Sequence, residues 1–186
     1  MKTSGSGNDL RVRRTYKLLW KAFEELLSEQ HFSSITVNQI CEKAMVHRTT
    51  FYKHFEDKFD LLTLGASQSK DESTKFTVEE RIRTPFQYAS KNPNLELYDK
   101  IMQTQINDRI YTSYMKSYQK EMLKQELLEL NQKGKEFSVP IEIIAEVYSE
   151  VISSLSIWWL QGGRQVPAKQ MDGYLHKLLN KELFWQ

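Results

Sequence analysis

The sequence predicts an all-α fold, on three observations. Apolar residues recur at spacings of three and four along most of the chain, and no Asn-Gly or Asp-Gly pair flanked by alternating apolar residues offers a β-hairpin. The expected helix breakers fall between the periodic stretches, at Asn92-Pro93, Gly134, Gly162-Gly163 and Pro167. A chain of 186 residues with a 40% hydrophobic fraction is enough for one large or two small globular domains. Its single cysteine, Cys41, excludes an internal disulfide framework and suits a reducing cytoplasm. No apolar run approaches 18 residues, so no membrane span is expected. The opening MKTSGSGNDL lacks the apolar core of a signal peptide and reads as a flexible polar arm over residues 1–8.

The first helix is expected from about Asp9 to Glu29. Tyr16, Leu19, Trp20, Phe23, Leu26 and Leu27 form its buried face, opposite a charged one. Thr36 is a good N-cap for a second helix carrying Val37, Ile40, Cys41 and Ala44. Met45 and Val46 break that pattern. A third helix then begins around His47 to Thr49, with Phe51 and Phe55 as its buried stripe. Asp57 caps a fourth helix bearing Phe59, Leu61, Leu62 and Leu64 toward Ser69, and the polar stretch Lys70 to Lys75 reads as a break. One helix is expected over Val78 to Ser90, because the residue before Pro93 avoids the helical region. A short helix over Asn94 to Met102 follows, then a long one from about Gln105 to Gln132.

Of the last two helices, the first places Ile141, Ile144, Tyr148, Val151, Leu155 and Trp158 at alternating spacings of three and four, a heptad seam. Ala145, Ile152 and Trp159 widen it, so this helix must be covered from two sides. The final helix carries Met171, Tyr174, Leu175, Leu178, Leu179 and Leu183. Periodicity alone leaves the seam open between monomer core and subunit interface.

Between Thr36 and Lys58 an unusual set of polar side chains has no core to enter. Arg48, Thr49, Thr50, Tyr52, Lys53 and His54 lie off the buried stripe of the third helix, as a helix lying in a DNA groove requires. The stretch TVNQICEKAMVHRTTFYKHFEDK resembles, without a gap, the DNA-binding signature of the TetR family of bacterial transcriptional regulators. Thr36, Ile40, Ala44, Val46, Thr50, Phe51, Tyr52, His54, Phe55 and Lys58 match it. Two positions depart. Met45 stands where the family has Gly, so a left-handed turn there costs on the order of 1 kcal/mol. His47 stands where the family has a capping Ser, and a lost cap costs about as much.

The resemblance implies an N-terminal three-helix helix-turn-helix DNA-binding domain over residues 9–56 and a helical ligand and dimerisation domain over 57–186. Arg48 is expected to read a base or hold a phosphate, and Thr49 and Thr50 to approach bases or thymine methyls. Tyr52, His54 and Lys58 fall at family positions that hold phosphates, and Thr36 would offer a phosphate its hydroxyl. Lys53 joins them with less support, since the family varies there. The family pairs its last two helices across a homodimer, which would put Ile144, Tyr148, Val151, Leu155, Trp158, Leu175 and Leu178 in the interface.

Up to Thr63 there are ten Lys and Arg against eight Asp and Glu, and the rest of the chain is balanced, so the net charge of +2 sits in the proposed DNA-binding part. The four histidines show no metal-ligand spacing, no nucleophile stands beside a base, and no catalytic residue, metal or cofactor is nominated. Tyr88, Tyr98, Tyr111, Tyr114, Tyr118, Phe137, Tyr148, Trp158 and Trp159 are compatible with a pocket for a small apolar or aromatic effector, and equally with plain core and interface. The expectation is therefore a cytoplasmic repressor that binds palindromic double-stranded DNA as a homodimer. The alternatives are a regulator controlled by a protein partner and an architectural DNA-binding protein.

Overall fold

Helical periodicity becomes helix throughout the computed structural model, which describes residues 6–71 and 76–179, and no strand occurs among those residues. The α-helices are α1 (Ser6–Leu27), α2 (Val37–Ala44), α3 (Arg48–Phe51), α4 (Lys58–Asp71), α5 (Val78–Arg83), α6 (Pro85–Ala89), α7 (Leu95–Gln105), α8 (Arg109–Gln132), α9 (Ile141–Gln161) and α10 (Ala168–Leu179). A 3-10 turn at Phe32–Ser34 joins α1 to α2.

Four boundaries differ from expectation. Gln105, expected to open the long helix, closes α7 instead, and α8 begins at Arg109. Helix α1 begins at Ser6, inside the stretch read as an arm, while residues 1–5 lie outside the described residues. Helix α4 runs through Lys70 and Asp71; the rest of the expected polar break, residues 72–75, lies outside the described residues, as does Leu183. The single helix expected over Val78 to Ser90 is two. Pro85 has no N–H to donate and excludes Thr84 from helical geometry, leaving that residue at φ −131° and ψ 56°.

The chain divides into two compact units, Met1–Glu72 with Lys100–Asp108, and Ser73–Asp99 with Arg109–Gln186. Helix α4 lies within the first unit. In that unit α1 packs on α2 and α4 around Leu19, Phe23, Phe32, Ile35, Ile40, Phe51, Leu61 and Leu62, all essentially inaccessible. Each such side chain contributes about 1.5–3 kcal/mol through burial. Helix α4 can approach α1 closely because residue 65 is glycine. A Cβ there would stand 2.0 Å from the Trp20 ring.

The corner between α1 and α2 is held by residues about seventy positions away. Gln105 is fully buried; its Oε1 accepts from Phe32 N at 2.7 Å, and its Nε2 donates to Leu27 O and Gln30 O, both at 2.7 Å. Buried Asp108 accepts from Ser33 N at 2.6 Å, and Thr104 Oγ1 donates to Ser28 O at 3.2 Å. These bonds satisfy carbonyls that the end of α1 leaves without helical partners.

In the second unit α8 and α9 run antiparallel, joined by Lys116–Glu150, by Lys120–Glu146 at 2.9 Å and by Lys124–Glu142 at 3.5 Å. Helix α9 is long and apolar enough to cross a membrane, contrary to the expectation that no stretch would be. These three glutamates, each paired with a lysine of α8, belong to a helix-on-helix surface instead. Ile144 packs with the buried Leu123, Leu127 and Ala145, while Tyr148, Val151 and Leu155 pack on a second core of Phe86, Trp159, Met171 and Leu175. The Tyr148 hydroxyl donates to Ile82 O, and burial pushes its phenol well above the usual range.

The carboxylate of Asp172, buried on α10, receives Phe86 N at 2.9 Å, Gln87 N at 3.2 Å and Gln87 Nε2 at 2.9 Å, so it caps the helix that Pro85 opens. Removing it leaves a buried N–H unpaired. Asp172→Ala is expected to lower stability by about 2 kcal/mol in urea denaturation, with Asp172→Asn costing less because it keeps an acceptor. Wild-type stability in the alanine variant would show that the cap contributes nothing.

Candidate nucleic-acid interface

Helix α2 starts where its sequence says it should. Thr36 Oγ1 accepts from Gln39 N at 3.2 Å, and Gln39 Oε1 accepts from Thr36 N at 2.8 Å and from the Thr36 hydroxyl at 2.9 Å. The reciprocal bonds form a capping box. The hydroxyl expected on a phosphate is therefore engaged within its own helix start.

At the other end of α2, Met45 takes the left-handed conformation, φ 54° and ψ 40°, and Val46 N bonds to Cys41 O at 2.9 Å. The departure from glycine leaves the turn geometry intact. Met45 is 92% exposed, so its side chain recovers little of the conformational cost through packing. Cys41, beneath this turn, is buried, and burial pushes its thiol up against the opposing influence of Arg48.

The expectation of a lost cap at His47 is corrected by the structure. Its Nδ1 accepts from Thr49 N at 3.3 Å and lies 2.9 Å from Thr49 Oγ1, so the imidazole does the work of the usual serine. Helix α3 is one α-turn, Arg48–Phe51, continued by turns in which Tyr52 N bonds to Arg48 O, and His54 N and Phe55 N bond to Phe51 O. Phe51 and Phe55 are buried, as expected, with ring centroids 5.3 Å apart.

The proposed contact residues fall into two groups. Arg48, Thr49, Tyr52 and Lys53 are exposed along one stretch. Arg48 Nη2 donates to the Tyr52 hydroxyl at 3.4 Å, and its guanidinium carbon lies 5.7 Å from the Tyr52 ring centre. Thr50 is half-buried, and so is His54, whose ring stands edge-on to Tyr16 at 5.2 Å. Lys58 is turned inward. Its ammonium donates to Phe32 O and Ile35 O, both at 2.7 Å, and sits 4.4 Å from the Phe32 ring centre. Burial pushes its pKa down, with Asp108 and Asp57 opposing that effect. The family position that implied a phosphate contact here braces the approach to α2.

Sequence reasoning missed His47, Gln105 and Asp108. The signal for His47 was present, since a residue at a capping position that is not Ser, Thr, Asp or Asn still has to bring an acceptor or leave α3 uncapped. Gln105 and Asp108 carried no local signal.

Residues 19–63 match the family of bacterial regulatory proteins called the tetR family. A curated relative, the uncharacterized HTH-type transcriptional regulator YxbF of Bacillus subtilis (strain 168), is 44% identical over 55 residues, 29% of this chain. The aligned stretch spans 14% of that relative's length. Among solved structures, Lin0861 from Listeria innocua superposes with a TM-score of 0.69 at 20% identity, covering 92% of both chains. The TetR transcriptional regulator from Streptococcus agalactiae 2603V gives 0.58 at 20% identity, over 92% of this chain and 96% of that one.

Two substitutions test this geometry. Met45→Gly is expected to raise stability by about 1 kcal/mol, read as a higher melting temperature, because glycine enters the left-handed region without penalty. A lower melting temperature would mean that Met45 packs in a way its exposure conceals. Lys58→Met is expected to lower the stability of the DNA-free protein by about 2 kcal/mol, by stranding the carbonyl of Ile35 and leaving that of Phe32 with only the N–H of Ile35. Unchanged stability, with a salt slope of DNA binding reduced by about one unit, would return Lys58 to a phosphate.

Proposed function

This chain belongs to the TetR family of bacterial regulatory proteins, and we propose that it is a cytoplasmic repressor that binds a palindromic operator as a homodimer. The observation that carries the reading is the exposed row Arg48, Thr49, Tyr52 and Lys53, set on a short helix whose opposite face, Phe51 and Phe55, is fixed in a core. An Arg at the start of such a helix pairs bidentately with guanine in the major groove, while Tyr52 and Lys53 position the backbone. Two copies related by a two-fold axis imply half-sites one helical turn, or a multiple of it, apart.

The dimer reading draws on what the second unit leaves uncovered. On α9, Ile143, Val147 and Trp158 are 52%, 50% and 55% exposed, and on α10 Tyr174 and Leu178 are each 39% exposed. Large apolar side chains left exposed on two neighbouring helices favour an interaction site. Of the residues first expected in the seam, Trp158 and Leu178 lie on this face. Val151 and Leu155 are half-buried at its margin, and Ile144, Tyr148 and Leu175 pack into the monomer. A subunit interface therefore centres on Ile143, Val147 and Trp158.

Release from DNA follows if a small apolar or aromatic effector prefers a DNA-free arrangement, since a ligand shifts an equilibrium only by its differential affinity. The half-buried Tyr114, Met115, Tyr118 and Met122 along α8 suit such a ligand. Sequencing random genomic fragments retained at two salt concentrations tests the core of the reading. A few palindromic sites that persist at the higher salt support a repressor, whereas uniform binding favours an architectural protein.

For the interface, Val147→Glu with Trp158→Glu is expected to give monomers in sedimentation with an unchanged helical circular dichroism spectrum, because unpaired charge in an apolar interface costs several kcal/mol. A doubly substituted protein that stays dimeric places the interface elsewhere.

A further inference from the structure

The family signature has serine where this chain has His47, and the two caps differ in a way that reaches the DNA-facing side chains. A backbone N–H can only donate. Thr49 N points at His47 Nδ1 from 3.3 Å, a contact that an unprotonated Nδ1 accepts and that assigns the ring hydrogen to Nε2. In that tautomer the Thr49 hydroxyl, 2.9 Å from the same nitrogen, donates its hydrogen to it. What Thr49 offers outward is then oxygen lone pairs only.

We propose that His47 is a positioning residue that sets the hydrogen-bonding polarity of Thr49, making the base preference of the recognition helix depend on the proton on its imidazole. The inference rests on the DNA-binding reading given above. With the ring neutral, Thr49 is an acceptor, suited to the exocyclic amines of adenine or cytosine in the major groove. When His47 takes up a proton at Nδ1, that nitrogen becomes a donor. It then donates to Thr49 Oγ1, and the hydroxyl hydrogen rotates outward, where it suits guanine O6 or N7 or thymine O4. The same proton removes the acceptor for Thr49 N, so α3 loses its cap as the polarity reverses. A serine cap cannot do this, since its hydroxyl keeps both donor and acceptor across the neutral range.

His47 is exposed and shares an open groove of about 570 Å³ with Asn38, Cys41, Glu42, Met45, Val46 and Arg48. The charged or titratable neighbours in that groove are Cys41 and Glu42 of α2 and Arg48 of α3. Thr49 is exposed beside Arg48, so a change in its polarity acts next to the residue best suited to read guanine.

The test has a DNA-free arm and a DNA arm. Long-range nitrogen NMR of the free protein at pH 8 should find the hydrogen of the His47 ring on Nε2, and the Thr49 amide should shift as that ring is titrated. A ring carrying its hydrogen on Nδ1 overturns the proposal whatever the protein does with DNA. In the second arm, randomised duplexes are selected at pH 8 and pH 5.5 with the wild type, His47→Ser and Thr49→Val. The wild type should show about a tenfold change in preference at one base pair per half-site, from A or C toward G or T. His47→Ser keeps a cap and the other histidines and should show the same preference at both pH values, and Thr49→Val should lose selectivity at that pair. A wild-type preference independent of pH, or an equal shift in His47→Ser, overturns the proposal while leaving DNA binding intact. Failure of every variant to enrich any duplex overturns the DNA-binding reading and this inference with it.

Discussion

The corner where α1 turns into α2 governs the DNA-binding head, because everything beyond it inherits its direction. Three long polar side chains replace what a loop would leave to solvent. Gln105 bonds three backbone groups, Asp108 holds Ser33 N, and Lys58 spans the carbonyls of Phe32 and Ile35. None of these groups is wasted, and the fully buried amide of Gln105 has partners on both its oxygen and its nitrogen. Partial satisfaction would cost more than an apolar replacement, so such a cluster works only as a complete set. Completeness also ties the end of α7 to the corner. Helix α7 begins within the second unit and ends within the first.

Helix α9 faces a different constraint. Its apolar residues occupy so much of its circumference that α8, α6 and α10 cannot cover them all. The packed side takes Ala145, Tyr148, Ile152 and Trp159, and the acidic flank takes Glu142, Glu146 and Glu150 onto the lysines of α8. What is left is the strip of Ile143, Val147 and Trp158. Exposed surface pairs of this kind contribute at most about 1 kcal/mol each. They fix the register of α9 against α8, and that register decides which apolar strip faces outward.

This is also where the sequence stopped being legible. Capping at Thr36 and Asp57, the buried pair Phe51 and Phe55, and the glycines that end α8 and α9 are local signals, and each was readable. The break at Pro85 was readable by the rule already applied to Pro93, and was passed over. The heptad of Ile144, Tyr148, Val151 and Leu155 was seen correctly as apolar and helical. Which side of α9 its own chain covers depends on Lys116, Lys120 and Lys124 of α8, several helical turns away in sequence, which periodicity does not encode. Gln105 and Asp108 were invisible for the same reason, as ordinary polar residues near a helix boundary. At Met45 and His47 the departures from the family were visible, but their resolution was not. A left-handed methionine and an imidazole cap preserve the geometry that glycine and serine usually give.

That preservation matters because α3 is too short to stand alone. A single helical turn fixes several dihedrals for few hydrogen bonds and has no independent stability. The positions of Arg48, Thr49 and Tyr52 are therefore set from outside the turn. Phe51 and Phe55 anchor it to the core, the left-handed turn at Met45 aims it, and His47 accepts from the N–H of Thr49. Disturbance of the anchors or the turn should weaken binding to all DNA sequences alike, through order. Disturbance at His47 differs in kind, since the imidazole touches both the backbone N–H and the hydroxyl of the exposed Thr49. Stability of the turn and its hydrogen-bonding character are thereby joined in one side chain.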